Sequence, residues 1–375
     1  MEALGKALLV EDLIKWYGKE VLALNKVSFD VEQGDFFVII GPSGCGKSTL
    51  LKCIAGILDW DAGDISIGGR SVKNVPAYKR EIALMPETYA LFPHMRVYDN
   101  VAFGLRMHGK DESEIKKEVG EALKLVGLEG FEKRWPSELS GGQRQRVSLA
   151  RAIVVNPTVL LLDEPLSHVD YRLQRRLMED FKRLHSELGN TWILTTHVQE
   201  QGLSMAETMM VMNTGVIEQI GKPEEIYTRP RTVFAARFVG DINLFHGEVT
   251  AQEKDKCTVK TEVGELVGTY LGESDLRGRE VAYGIRPENL RIEEGRSDIY
   301  DNSMRGRLAG YYYFGESMEY SFKVSDGTEV KVRTPPIKLT LGNEYHLCWN
   351  AVDGSILERP CMVEGLNIED VIYGR

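Results

Sequence analysis

Cysteine is scarce in this chain of 375 residues, and its number is odd: Cys45, Cys53, Cys257, Cys348 and Cys361 are scattered, with no C-x-x-C pair. That argues against both a disulfide framework and a zinc site. Long hydrophobic runs are also missing. No apolar stretch approaches the roughly 18 to 20 residues needed to cross a bilayer, and Met1 to Glu20 holds no signal-peptide core followed by a small-residue cleavage site. A cytoplasmic protein is expected. Nor is there a basic excess: 46 Lys and Arg against 56 Asp and Glu leave a formal charge of −10. Nucleic-acid binders usually carry the opposite balance, so no nucleic-acid partner is expected. Finally, no glutamine occurs between Gln33 and Gln143.

What is present is sharper. Gly41-Pro42-Ser43-Gly44-Cys45-Gly46-Lys47-Ser48-Thr49 fits the phosphate-cradling pattern G-x-x-x-x-G-K-[ST]. Its flanks agree with that pattern: Phe36 to Ile40 reads as a buried parallel strand, and Ser48 to Leu58 carries apolar residues at helical spacing. Glycines let backbone N–H groups converge, the helix start adds positive partial charge, and Lys47 can reach terminal phosphates. Ser48 is placed to ligate Mg²⁺.

A second core strand, Thr158 to Leu162, ends in Asp163-Glu164-Pro165. Paired carboxylates at such a strand end are costly to desolvate unless they hold a metal or a proton, so Asp163 is read as a Mg²⁺ contact and Glu164 as the group orienting the attacking water. Trp192 to Thr196 is a third core strand, and His197 leaves it at the edge where ligands sit in parallel α/β sheets. Ser140 should cap a helix running through Ile153, where Gly141 and Gly142 would expose N–H groups to an anion.

Between these strands, Ile65 to Ile67 reads as a short strand turning at Gly68-Gly69, and Ile82 to Met85 as another leading into Pro86-Glu87-Thr88-Tyr89. Val97 to Val126 reads as a helical insertion, with Asp99 and Asp111 as caps. Leu173, Leu177, Phe181, Leu184 and Leu188 mark one helix face, with His185 expected to be exposed. Strands at Met209 to Met212 and Val216 to Ile220 are joined by Asn213-Thr214-Gly215. Near the start, Leu22 to Val31 alternates as a strand; Trp16 and Tyr17 before it read as packing aromatics, with Tyr17 alternatively a surface for a purine. Past Gly240 short alternating segments follow, among them Phe245 to Val249, Thr258 to Val263, Glu280 to Ile285, Met304 to Phe314, Met318 to Val324 and Thr328 to Val332. The rhythm shared by Phe245 to Val249 and Met304 to Leu308 suggests two related halves. Tyr311 to Phe314 reads as packing within aromatic strands.

Taken together, these motifs resemble the ATPase subunit of an ATP-binding-cassette (ABC) importer, over about Leu9 to Glu358. The resemblance implies a P-loop NTPase α/β domain with a helical subdomain at about 88–156, spanning 1–240. An all-β, OB-like regulatory (TOBE) domain would occupy 241–358, and the tail 359–375 has no readable role. It further implies a signature at Leu139 to Gln143, a D-loop ending at Asp170, a switch histidine at His197 and a Tyr17 that stacks on adenine. In that family ATP with Mg²⁺ is hydrolysed in a head-to-tail homodimer, where Ser140, Gly141, Gly142 and Gln143 face the γ-phosphate held by Lys47 of the other copy. The catalytic set is then Glu164, His197 and Lys47, on ATP held by residues 41–49.

The implied partners are two transmembrane permease subunits at the cytoplasmic face of the inner membrane, with an extracytoplasmic solute-binding protein reached indirectly. Gly284-Ile285-Arg286-Pro287-Glu288 resembles regulatory domains of importers for polyamines, ferric iron, sugars or sulfate, with a lean to spermidine or putrescine. A soluble ATPase of the same fold, outside transport, is the rival; it favours tandem cassettes, which are absent. Two departures stand out. The family places a glutamine where this chain has Glu87, and no shift of alignment can restore it. His168-Val169 stands where Asn-Leu is common before Asp170. Glu87 keeps an oxygen for Mg²⁺ but loses an amide donor and adds negative charge.

Overall fold

The computed structural model describes residues 5–167, 169, 171–295, 299–324 and 327–357. Asp170, His168 and the tail 359–375 lie outside the described residues. By contacts the chain divides into two units, Met1–Pro223 and Glu224–Arg375.

The first unit opens with β1 (Lys6–Tyr17), β2 (Val21–Glu32) and β3 (Phe36–Ile40), then α1 (Lys47–Ala55), β4 (Ala62–Ile67), β5 (Arg70–Ser71) and β6 (Ile82–Met85). The helices α2 (Val97–Met107), α3 (Glu112–Leu125) and α4 (Gly141–Ile153) follow. The chain then returns through β7 (Val159–Asp163), α5 (Tyr171–Leu188), β8 (Thr191–Thr196), α6 (Gln199–Met205), β9 (Thr208–Asn213) and β10 (Val216–Gly221).

Two sheets result. One is antiparallel, in the order β2-β1-β4-β5; the other has the order β10-β9-β3-β8-β7-β6 and is parallel except at β10. Every residue of β3, β7 and β8 is buried, as a parallel strand covered on both faces requires. Phe29, Phe37, Leu50, Leu161 and Met210 belong to one core reaching from β2 through the parallel sheet to α1. The hairpin β9-β10 turns with Thr214 at φ 41° and Gly215 at φ 79°, the paired positive φ values that suit a tight antiparallel connection.

Three expectations change. His185 is buried, packed against Phe36 and Trp192 with ring centroids 5.0 and 5.7 Å away, and burial pushes its pKa down. A neutral imidazole has enough apolar ring face to join an aromatic cluster. Asp99 lies inside the first turn of α2, where it accepts from Arg106 Nη1 at 3.0 Å, and does not cap the helix. Asp111 holds the N-cap position of α3, but its side chain makes no capping bond.

The second unit begins with most of α7 (Pro223–Thr228) and with α8 (Val233–Val239). Its first strands are β11 (Asn243–Glu253), β12 (Lys256–Thr261), β13 (Gly264–Thr269), β14 (Glu280–Ile285) and β15 (Arg291–Glu293). The last are β16 (Asn302–Tyr313), β17 (Met318–Lys323), β18 (Glu329–Thr334), β19 (Glu344–Trp349) and β20 (Gly354–Leu357). Five of them close a barrel, β11-β12-β13-β20-β14, and the others form a sheet in the order β15-β19-β16-β17-β18. One core, including Val259, Tyr283, Phe322, Leu347 and Trp349, spans both.

Residues 223–239, which the sequence places in the first domain, form α7 and α8, and these pack with the second unit. Val233 and Ala236 share a cluster with Ala282 and Leu357. Arg286, buried in the second unit, gives the stronger reason. Its guanidinium donates to Tyr227 O at 3.0 Å, Ala236 O at 2.8 Å, Gly240 O at 2.8 Å and Asp241 O at 3.0 Å, and it lies 4.3 Å from the Tyr227 ring centroid. Arg286→Met would leave those carbonyls without their donor. Each unsatisfied buried group costs about 1–3 kcal/mol, so a loss of about 3 kcal/mol or more is expected. Calorimetry on the full chain should show one transition moved down; an unshifted trace would reduce the clamp to a surface contact.

The aromatics Tyr311, Tyr312, Tyr313 and Phe314 are exposed, against the packing expectation. The pairing explains it. β19 covers only Asn302 to Arg307 of β16, so beyond Arg307 that strand is a sheet edge paired only with β17.

Candidate active site

Register brings the site together. Ile40 pairs with Thr196 and Asp163 pairs with Thr195, so Gly41, His197 and Glu164 leave three parallel strands side by side. Met85 pairs with Leu162, which puts the loop carrying half-buried Glu87 at the same edge. This is the carboxyl edge, where ligands of open α/β sheets bind.

The phosphate loop is shaped by close approach. A Cβ at Gly41 would stand 2.3 Å from Met212 O, and Gly46, at φ 108°, would put one 2.6 Å from Ala23 O. Neither place admits a side chain. Lys47 opens α1 and is almost wholly buried, with Nζ donating to Gly41 O at 2.8 Å and Pro42 O at 2.9 Å. Its third neighbour is Glu164 Oε1, at 3.8 Å. The Cys45 thiol lies 3.9 Å from Nζ, and burial pushes its pKa up, which leaves little thiolate for an alkylating reagent. Tyr17 is exposed and its hydroxyl is 3.3 Å from Thr49 Oγ1, beside the loop with its ring open to solvent.

Glu164 turns out of β7 at φ 43°, a left-handed conformation uncommon for a residue with a side chain. Its N–H is held by Thr195 Oγ1 at 3.1 Å and Thr195 O at 3.2 Å. The turn brings Oε2 within 2.8 Å of His197 Nδ1 while Oε1 faces Lys47. A carboxylate only accepts, so Nδ1 donates and Nε2 is left free for another partner. Asp163 Oδ1 accepts from Ser48 Oγ at 2.8 Å and from Thr195 Oγ1 at 2.9 Å. The hydroxyl of Ser48 beside the carboxylate of Asp163 is a hard-oxygen donor pair, which fits Mg²⁺. Among the described residues no cluster of three His, Cys, Asp or Glu stands ready to hold a metal by protein ligands alone. A divalent ion here would draw most of its ligands from phosphate and water, as Mg²⁺ commonly does.

Ser140 caps α4 as the sequence predicts. Ser140 Oγ accepts from Gln143 N at 3.3 Å and Ser140 N donates to Gln143 Oε1 at 2.9 Å, a reciprocal cap on α4. Among the described residues no hydrogen bond joins Ser140, Gly141, Gly142 or Gln143 to residues 41–49. Sequence reasoning missed two links. Gln145 of α4, fully buried, donates to Pro165 O at 2.9 Å and ties the signature helix to the turn after Glu164. Thr195 is the other; two hydroxyls inside a core strand that must find partners were the available signal.

Comparisons with known proteins give the family. A family model described as ABC transporter matches residues 24–167, and one described as TOBE domain matches 283–357. Spermidine/putrescine import ATP-binding protein PotA of Trichormus variabilis is 42% identical over 336 residues, 89% of this chain and 87% of that protein. The protein of the same name from Vibrio vulnificus is 42% identical over 340 residues, covering 88% and 89%. Among solved structures, a dimeric ATP-binding cassette in a post-hydrolysis state with ADP and Pi has a TM-score of 0.52 at 28% identity. It covers 58% of this chain and 98% of its own.

Proposed function

The chain belongs to the ABC transporter family as the ATP-hydrolysing subunit of an importer, and from that premise we propose that Glu164, His197 and Lys47 carry the hydrolysis at an edge completed by a second copy. The observation that supports it most is the meeting of three strand ends: Glu164 lies 2.8 Å from His197 and 3.8 Å from Lys47. Lys47 and the N–H groups of residues 41–49 bind the phosphates, and Tyr17 stacks on the base. Glu164 orients the attacking water and takes its proton. His197, its Nδ1–H held by Glu164, would donate to the γ-phosphate through an Nε2–H, which it carries as the imidazolium. Ser48, Asp163 and Glu87 would hold Mg²⁺, which would supply positive charge to offset the negative charge of the phosphates.

Ser140, Gly141, Gly142 and Gln143 of one copy close the site of the other. The dimeric arrangement of the cassette similar to this chain supports the sharing. Binding of ATP then favours the closed dimer and hydrolysis releases it, which supplies the motion for two permease subunits at the cytoplasmic face of the membrane. Among the described residues no helix is long and apolar enough to cross the membrane itself. The imported solute is a polyamine, a reading supported by relatives 40–42% identical that carry that name. Uptake of labelled spermidine by cells lacking the native gene tests it. Wild type should restore uptake and Glu164→Gln should not; restored uptake of sulfate, sugar or ferric iron instead would reassign the solute.

Glu87 sets the rate. A negative charge near the phosphates opposes charge building on the γ-phosphate, at a cost of about 1 kcal/mol at about 4 Å under full water screening, or about fivefold in rate. Glu87→Gln should therefore raise turnover by about fivefold and lessen the Mg²⁺ requirement. Unchanged turnover with an unchanged Mg²⁺ titration would show a tolerant position.

A further inference from the structure

Thr195 lies in β8, with no solvent exposure, yet its hydroxyl touches both carboxylate residues of the neighbouring strand. It donates to Asp163 Oδ1 at 2.9 Å and accepts from the Glu164 backbone N–H at 3.1 Å. Thr196, pointing to the opposite face as strand alternation requires, does something different. Its hydroxyl donates to Gln201 Oε1 at 2.7 Å and accepts from Val198 N at 3.0 Å, holding the chain on either side of His197 to α6.

We infer that Thr195 is a positioning residue for ATP hydrolysis: it fixes the carboxylate of Asp163 and the left-handed turn that aims Glu164, and it acts through them alone. The reasoning is local. Asp163 Oδ1 has only two hydroxyl donors among the described residues, Ser48 and Thr195. Ser48 would ligate Mg²⁺ through an oxygen lone pair and keep its hydrogen on Asp163, so Thr195 is the second donor that keeps this carboxylate from rotating. The same Thr195 oxygen shares with the Thr195 carbonyl the N–H of a residue at φ 43°, a conformation that persists only where its surroundings over-determine it. Loosening that N–H lets Glu164 drift from the 2.8 Å contact with His197, and misplacement on that scale is felt in the chemical step. Nucleotide binding does not depend on it, since Lys47 is held by the Gly41 and Pro42 carbonyls.

The inference rests on Asp163 and Glu164 having the roles proposed above, so the test carries its own control. Thr195→Val keeps shape and strand propensity and removes only the hydroxyl; Thr195→Ser returns it. Thr195→Val should lower kcat by about tenfold, the worth of one hydrogen bond to a charged group. Affinity for a fluorescent ATP analogue and the melting temperature should stay near wild type, and Thr195→Ser should recover most of the rate. Thr195→Val turning over like wild type while Glu164→Gln is inactive would overturn the inference and leave the site assignment standing. Equal losses in both Thr195 variants, with lower melting temperatures, would reduce Thr195 to packing and also overturn it. Normal turnover in Glu164→Gln would remove the assignment, and the inference with it.

Discussion

Glu164→Gln loses ATP turnover by at least about a hundredfold, the lower range for removing a general base, and keeps its nucleotide. The substitution is nearly isosteric, and its amide oxygen can still accept from His197 Nδ1, so the turn at φ 43° has no reason to collapse. What disappears is the ability to take a proton from water. One negative charge near the phosphates disappears with it, since Glu164 Oε1 stands 3.8 Å from the ammonium of Lys47. Bound ATP is therefore held more tightly and not cleaved, and the closed dimer accumulates. Gel filtration with and without ATP would show a shift to twice the mass only with ATP. Rapid phosphate release by this variant would take Glu164 out of its role.

Lys47→Met has the opposite signature, with nucleotide binding failing first. The ammonium of Lys47 is buried and already desolvated, held by the Gly41 and Pro42 carbonyls. Charge-assisted contacts to phosphate are worth about 1.5–3 kcal/mol each, so losing two of them weakens ATP affinity by about a hundredfold or more. Methionine retains most of the volume, and α1 should keep its start. The loss should fall on the triphosphate far more than on adenosine, because Tyr17 lies outside the loop. Titration with a fluorescent ATP analogue and with adenosine separates the two; equal loss for both would mean that the loop had unfolded.

The core strands were the most legible part of the chain. Phe36 to Ile40, Val159 to Leu162 and Trp192 to Leu194 are continuous apolar runs because both faces of a parallel sheet are covered, and each strand leads into residues of the proposed site. The first unit also shows β1 and α6, neither of which was read as an element from the sequence. In the second unit β13, β15, β19 and β20 escaped notice as well. They are short, and β20 finds its partners far along the chain, with Ala282 to Ile285 and, at one pair, Thr269. Pairing across such separations leaves no local periodicity. Contact patterns also hid Arg286, whose carbonyl acceptors come from Tyr227 to Asp241. His185 misled for another reason, since its class is polar while its neutral ring packs as an aromatic.

In the site, the types Lys, Ser, Asp, Glu and His and their places at strand ends were readable. Thr195 was not, because its worth depends on the registry of two strands, Asp163 against Thr195.

The central claim is an ATP site divided between two copies, and mixing tests it most directly. Lys47→Met spoils the phosphate loop and leaves the signature intact; Ser140→Arg does the reverse. Neither variant alone can form an intact site, yet a mixture contains heterodimers with one intact loop facing one intact signature. The account predicts that each alone is inactive and that ATP turnover returns on mixing. A mixture as inactive as its components, or full activity in Ser140→Arg alone, would contradict it.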